Sequence, residues 1–195
     1  MRSPILTTPI RYPGGKSKAV KKLYPMLPNI GEYEEWREPF LGGGSMSIEI
    51  TKRFPDMKIW VNDLYPALYT FWTSVQSDGE EMSEKLMQMK SECYTPEEAK
   101  AMLGVQKEII NDDTSSKFDK AVAWYFANRN SFSGLTETGT FSVQANEMSF
   151  TDNIINIDNK QINININGFG KEDLSYITDR HFREWFNGPF SAIPN

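Results

Sequence analysis

Apolar side chains recur every three or four positions from Leu64 to Met89 (Leu64, Leu68, Phe71, Trp72, Val75), the spacing of a helix with one buried face. Thr95-Pro96-Glu97-Glu98 carries the signals of a helix start: threonine at the cap, proline first, glutamate third. The pattern carries that helix to about Ile110, and Ala121, Val122, Trp124, Tyr125 and Phe126 mark another from Asp119 to Asn128. Lys16 to Leu27, after a Gly-Gly turn and before Pro28, reads as a further helix. Two short segments favour strands, Tyr33 to Phe40 and Lys58 to Val61, the latter ending at Asn62-Asp63. Between them lie Gly42-Gly43-Gly44 and a helix predicted to begin at Ser45 and to end before Pro55. Strand, glycine loop, helix, strand and acid form a βαβ-like unit. The expected class is therefore α/β, with a parallel sheet whose ligand sits at the carboxyl ends of the strands. From Asp152 to Asn167 isoleucine and asparagine alternate, which argues a half-buried strand or hairpin, although so biased a composition also suits a disordered tail.

Composition narrows this picture. A chain of 195 residues, 39% hydrophobic and 24% charged, can bury one core. Three parts are expected: 1–75 around the glycine loop, 76–150 mostly helical, and 151–195 an Asn/Ile-rich tail of uncertain structure. No apolar run approaches the roughly 20 residues of a membrane span, and the first residues lack the apolar core of a signal peptide. Cys93 is the single cysteine, which excludes an internal disulfide and a cysteine-based zinc cage. A cytoplasmic setting without membrane or metal is expected. The net charge is −5, yet Arg11, Lys16, Lys18, Lys21 and Lys22 cluster without an intervening acid. That patch suits either a phosphate backbone or a solvated helix face.

Candidate chemistry gathers around the glycines. Gly42, Gly43 and Gly44 let backbone approach a ligand and place N–H groups at a helix start, although such a triplet also makes an ordinary turn. Asp63, at the end of the second strand, is placed to accept both hydroxyls of a ribose or, more simply, to cap the following helix. Glu38 can face a ligand's amino group or merely end its strand. Gly14-Gly15-Lys16-Ser17 fails as a phosphate loop, because Ile10 stands where the first glycine is needed.

Three segments in order, Tyr12-Pro13-Gly14-Gly15-Lys16, Glu38-Pro39-Phe40-Leu41-Gly42-Gly43-Gly44-Ser45 and Asn128-Arg129-Asn130-Ser131-Phe132-Ser133-Gly134-Leu135, resemble the front half of Dam-type DNA adenine N6-methyltransferases across roughly residues 9–150. The resemblance implies an incomplete Rossmann-like methyltransferase sheet with a helical target-recognition subdomain. It implies S-adenosylmethionine held by Tyr12, Lys16, Glu38, Phe40, Gly42, Gly44 and Asp63. It implies double-stranded DNA met by Arg129, Asn130, Phe132 and Leu135, and a restriction–modification setting. Members that read GATC carry an arginine two residues beyond the Gly-Leu pair, where this chain has Glu137.

One departure governs the activity. Relatives hold the flipped adenine with Asp-Pro-Pro-Tyr, and this chain has no Pro-Pro pair. Asn187-Gly188-Pro189-Phe190 is the nearest approach, with Asn187 as amino acceptor and Phe190 as stacking ring. Three readings follow: a truncated methyltransferase, one part of a split enzyme whose catalytic half is a second chain, or a non-catalytic protein that binds cofactor or DNA.

Overall fold

A computed structural model describes residues 7–143 and 145, together with the backbone of 164–168. The expected elements are recognisable, with shifted ends. Tyr12-Pro13-Gly14-Gly15 makes a tight turn closed by the Gly15 N–H on the Tyr12 carbonyl at 2.8 Å, with proline second and Gly14 at φ +74°, a type II geometry. The helix expected over Lys16 to Leu27 is shorter: turns lead into α1 (Val20–Leu23), and a 3-10 turn (Tyr24–Met26) follows. The only residue of α1 that is buried is Val20, so this stretch has little apolar stripe to hold a longer helix against the body.

Strand β1 (Glu35–Glu38) runs into the glycine loop, and α2 (Ser45–Arg53) leaves it. Strand β2 (Lys58–Asp63) returns parallel to β1, pairing Trp36 with Ile59 and Glu38 with Val61. Alternation along β2 buries Ile59 and Val61 against the core. The expected period-two segment supplies a strand: β3 (Ile164–Gly168) lies parallel to β2, with Ile166 opposite Val61 and Gly168 opposite Asp63. The order is β1-β2-β3, so β2 is central and β1 is an edge among the described residues. Residues 152–163, the rest of that alternating segment, and Asn187 and Phe190, the weak acceptor candidates, lie outside the described residues.

Helix α3 (Pro66–Ser91) is long and breaks its regular dihedrals at Asp78. Helix α4 (Pro96–Asn111) starts with the full reciprocal capping box: the Glu98 N–H donates to the Thr95 hydroxyl at 3.2 Å, and the Thr95 N–H donates to the Glu98 carboxylate at 2.9 Å. Helix α5 (Lys117–Asn130) is buried over Ala121–Asn128. It packs against α3 through aromatic faces: Phe71 stacks on Tyr125 at 5.6 Å and lies 5.0 Å from Trp124. Burial of each such ring contributes about 2–3 kcal/mol. This cluster is continuous with the sheet-facing residues Ile48, Ile50, Ile59 and Val61, so glycine loop and helices share one core. No described helix is long and apolar enough to cross a membrane.

Candidate functional site

The end of β1, the start of α2 and the end of β2 converge on a cleft of about 240 Å³, lined by Tyr12, Lys16, Glu38, Phe40, Gly42, Gly44 and Asp63 among others. These are the seven residues singled out for the cofactor, brought together from three stretches of chain. Asp63 is what draws the loop onto β2: its carboxylate accepts the Gly42 N–H at 2.8 Å with one oxygen and the Tyr65 N–H at 3.1 Å with the other. The side chain does not cap α3, whose cap residue is Tyr65. Each oxygen of a carboxylate has two lone-pair sites, so both retain capacity for a further donor.

The glycines have a second reason to be there. A Cβ on Gly42, which sits at φ +50°, would come within 3.0–3.7 Å of the Tyr12 ring. The Trp72 indole N–H donates to the Gly42 carbonyl at 3.1 Å. The loop is therefore shaped as much by its own aromatic neighbours as by any ligand.

Glu38 is set into the wall of the cleft. Its carboxylate accepts the Ser47 N–H at 3.1 Å and also the Ser47 hydroxyl, both on the first turn of α2, and the Trp36 indole N–H donates to that hydroxyl at 3.1 Å. Burial raises the Glu38 carboxyl above its ordinary value, although the Ser47 bonds and the Lys16 charge pull the other way. Burial also raises the Tyr12 phenol, helped by the nearby Asp63 charge. Phe40 stands 78% exposed at the rim, a flat apolar face without cover.

A second cavity of about 270 Å³ adjoins the first through Tyr12 and Pro13 and is closed by Tyr65, Trp124 and the 134–138 segment. Here the structure sorts the four residues expected at DNA. Phe132 and Leu135 are exposed, at 64% and 42%. Arg129 donates to the Pro9 carbonyl at 3.1 Å, so part of its guanidinium is engaged inside the protein. Asn130 is fully buried, and its amide donates back to the Phe126 carbonyl at 2.9 Å. It therefore stands behind the surface of the described residues.

Sequence reasoning counted Arg11 in the basic patch and missed that its guanidinium is spent inside the protein. The Asn128 side chain accepts the Arg11 N–H at 2.9 Å and donates to the Arg11 and Gly134 carbonyls at 2.7 and 3.1 Å. In return the Arg11 guanidinium donates to the carbonyls of Asn128, Arg129 and Ser131 at 2.7–3.0 Å, closing the carboxyl end of α5. The strip before the Tyr12–Gly15 turn and the 128–134 segment are thus one hydrogen-bonded unit. An asparagine at a helix end was visible in the sequence, but a partner 117 residues away was not.

The model of D12 class N6 adenine-specific DNA methyltransferases matches residues 12–171. The type II methyltransferase M.MjaIII of Methanocaldococcus jannaschii is 25% identical over 145 residues, which cover 69% of this chain and 50% of that protein. The chain thus spans about half the length of the curated relative it matches.

Proposed function

Since this chain belongs to the D12 class N6 adenine-specific DNA methyltransferases, we propose that its cleft binds S-adenosylmethionine and that the exposed face around Phe132 and Leu135 meets duplex DNA. The observation that carries this reading is the Asp63–Gly42 bond, which fixes a carboxylate and a glycine loop at the carboxyl ends of two parallel strands. The donor set suits the cofactor. Asp63 has lone pairs for ribose hydroxyls, Glu38 offers a carboxylate to an amino group, and Phe40 offers an uncovered ring for a purine. Gly42 and Gly44 bring the backbone close, while Lys16 supplies a positive charge to a carboxylate. When bound, the cofactor supplies an electrophilic methyl group on a sulfonium sulfur.

Phe132 is the candidate wedge, since an exposed aromatic on a pinned loop can enter a base stack. Leu135 lies beside it. Arg129 is left with a supporting part through the Pro9 carbonyl, and Asn130 with a structural one. The helical part from 76 to 150 serves in this reading as the target-recognition subdomain, and the likeness to a type II methyltransferase suits a cytoplasmic restriction–modification role.

Transfer is a separate matter. The adenine amino group must be held and its lone pair aimed at the methyl group, and the rigid acceptor motif that does this in relatives is absent from the sequence. Positioning supplies on the order of 7–11 kcal/mol of such a barrier. The chain alone should therefore bind cofactor and DNA with little or no turnover. In this reading a further segment or a second chain supplies the acceptor, and β1, whose carboxyl end faces the cleft, is the sheet edge among the described residues that could receive it. A parallel strand added there would end against the cleft, at the place where open α/β sheets bind ligands.

Calorimetric titration with S-adenosylmethionine tests the reading. The chain should bind at least tenfold more tightly than Asp63→Ala, about 1.4 kcal/mol. Equal affinity of the two proteins would reduce Asp63 to a loop anchor, and no binding by the unaltered chain would reject the cofactor site.

A further inference from the structure

Helix α2 begins without a cap of its own. Gly44, at the cap position, has no side chain to offer, so the first backbone N–H groups of the helix need an acceptor from elsewhere. Glu38, at the end of β1, supplies one: its Oε2 accepts the Ser47 N–H at 3.1 Å and the Ser47 hydroxyl as well. A carboxylate at a helix start is favoured by the helix dipole too.

The direction of the second bond is fixed by its neighbour. The Trp36 indole N–H, which can only donate, points at the Ser47 hydroxyl oxygen at 3.1 Å. A hydroxyl carries one proton, and Glu38 Oε2 is the acceptor for it. Ser47 is fully buried, so water does not compete for that proton. Two donors therefore converge on Oε2, and a proton added to this carboxyl must go to Oε1. That second oxygen makes no hydrogen bond or ion pair among the described residues, and it belongs to a side chain that lines the cleft. The ionisable groups that share the cleft with it are Lys16, Asp63 and the Tyr12 phenol. Capping α2 needs only the Ser47 N–H, so the hydroxyl and the indole behind it are left to orient the carboxylate.

We infer that Ser47 is a positioning residue for the cofactor: its hydroxyl, directed by Trp36, ties up Oε2 of Glu38 inside the protein and leaves Oε1 as the single carboxylate oxygen that receives the ligand's amino group. The inference rests on the proposed reading of the cleft as the S-adenosylmethionine site. It adds to that reading the residue that sets the orientation of Glu38. Ser47 touches no ligand in this account and acts through Glu38 alone.

The test is calorimetric titration with two ligands, S-adenosylhomocysteine and its deamino analogue, which differ only in the amino group. The proteins are the whole chain, Ser47→Ala, Trp36→Phe, Glu38→Gln, and the double change of Ser47→Ala with Glu38→Gln. The unaltered chain should prefer S-adenosylhomocysteine by about tenfold, the size of a hydrogen bond to a charged group. Ser47→Ala should cut that preference about fivefold while leaving affinity for the analogue within about twofold. Trp36→Phe keeps both Ser47 and Glu38 and should show the same pattern to a smaller extent, which decides the matter should Ser47→Ala fold poorly. In Glu38→Gln the further change of Ser47 should not alter the preference, because its route is gone. The Ser47 bonds hold the Glu38 carboxyl down against burial, so the pH below which S-adenosylhomocysteine is released should move upward in Ser47→Ala. Equal weakening of both ligands by Ser47→Ala and by Trp36→Phe, or no preference between the ligands in the unaltered chain, would overturn the inference and leave the cofactor site standing. Binding of neither ligand by the unaltered chain would overturn both.

Discussion

Asn128 holds the backbone of Arg11 at both of its polar groups, accepting the N–H at 2.9 Å and donating to the carbonyl at 2.7 Å. The contact joins the strip ahead of the Tyr12–Gly15 turn to the end of α5, from which the Phe132–Leu135 segment departs. Removing it leaves several partly buried groups unsatisfied at once. Asn128→Ala should lower stability by about 2–4 kcal/mol, read as a reduced urea midpoint. A loss under about 0.5 kcal/mol would show that water replaces the amide without cost.

Gly134 gives a backbone counterpart. It sits at φ +74°, and a Cβ there would lie 2.3 Å from the Arg11 carbonyl oxygen. Gly134→Ala should therefore destabilise by more than about 1 kcal/mol. Gly104, within α4 and with nothing within 4 Å of its would-be Cβ, should gain about 0.5–1 kcal/mol as alanine. Thermal melts of the two variants should move in opposite directions.

Much of this arrangement was legible in the chain and some was not, for physical reasons. The Thr95 capping box is a local pattern and could be read residue by residue, as could the aromatic stripe of α5. The Ile/Asn alternation announced a strand, but its pairing beside β2 is set by a partner about a hundred residues earlier and leaves no local mark. Asn130 reads as a surface residue because asparagine usually is one. Here it turns back onto the Phe126 carbonyl, four residues before it in α5. The cleft beside the glycine loop was the easiest part, because glycines, a strand end and an acid at a fixed distance are all constraints of one loop.

Phe132 is 64% exposed and has little packing to lose. Phe132→Ala should leave the melting midpoint within the range of an ordinary surface change, about 0.5 kcal/mol. Duplex affinity should fall roughly fivefold to a hundredfold, the equivalent of about 1–3 kcal/mol for a lost stacking contact, measured by fluorescence anisotropy. A large loss of stability with unchanged affinity would make Phe132 a packing residue.

Glu38 supplies a pH signature. Burial raises its carboxyl above the ordinary value of 4.5, so the folded protein holds that proton to a higher pH than the unfolded chain does. Its contribution to stability is therefore complete below the unfolded value and is lost as pH rises through the folded one. A ligand amino group prefers the ionised carboxylate, so cofactor affinity should run the other way, weakening as pH falls through the same range. Glu38→Gln should bind more weakly at neutral pH and lose that slope. Calorimetry at several pH values reads both, and an unchanged slope in Glu38→Gln would assign the titration to another group.

Equilibrium partition of methyl-tritiated S-adenosylmethionine between the intact chain and an adenine-rich duplex carries the most weight, because one tube reports cofactor binding and transfer together. The predicted result is label that co-migrates with the protein, exchanges with unlabelled cofactor and is lost in Asp63→Ala, while the DNA stays unlabelled over many hours. Protein that retains no label would contradict the cofactor site. Robust incorporation of label into adenine by this chain alone would contradict the view that it lacks the acceptor needed for transfer.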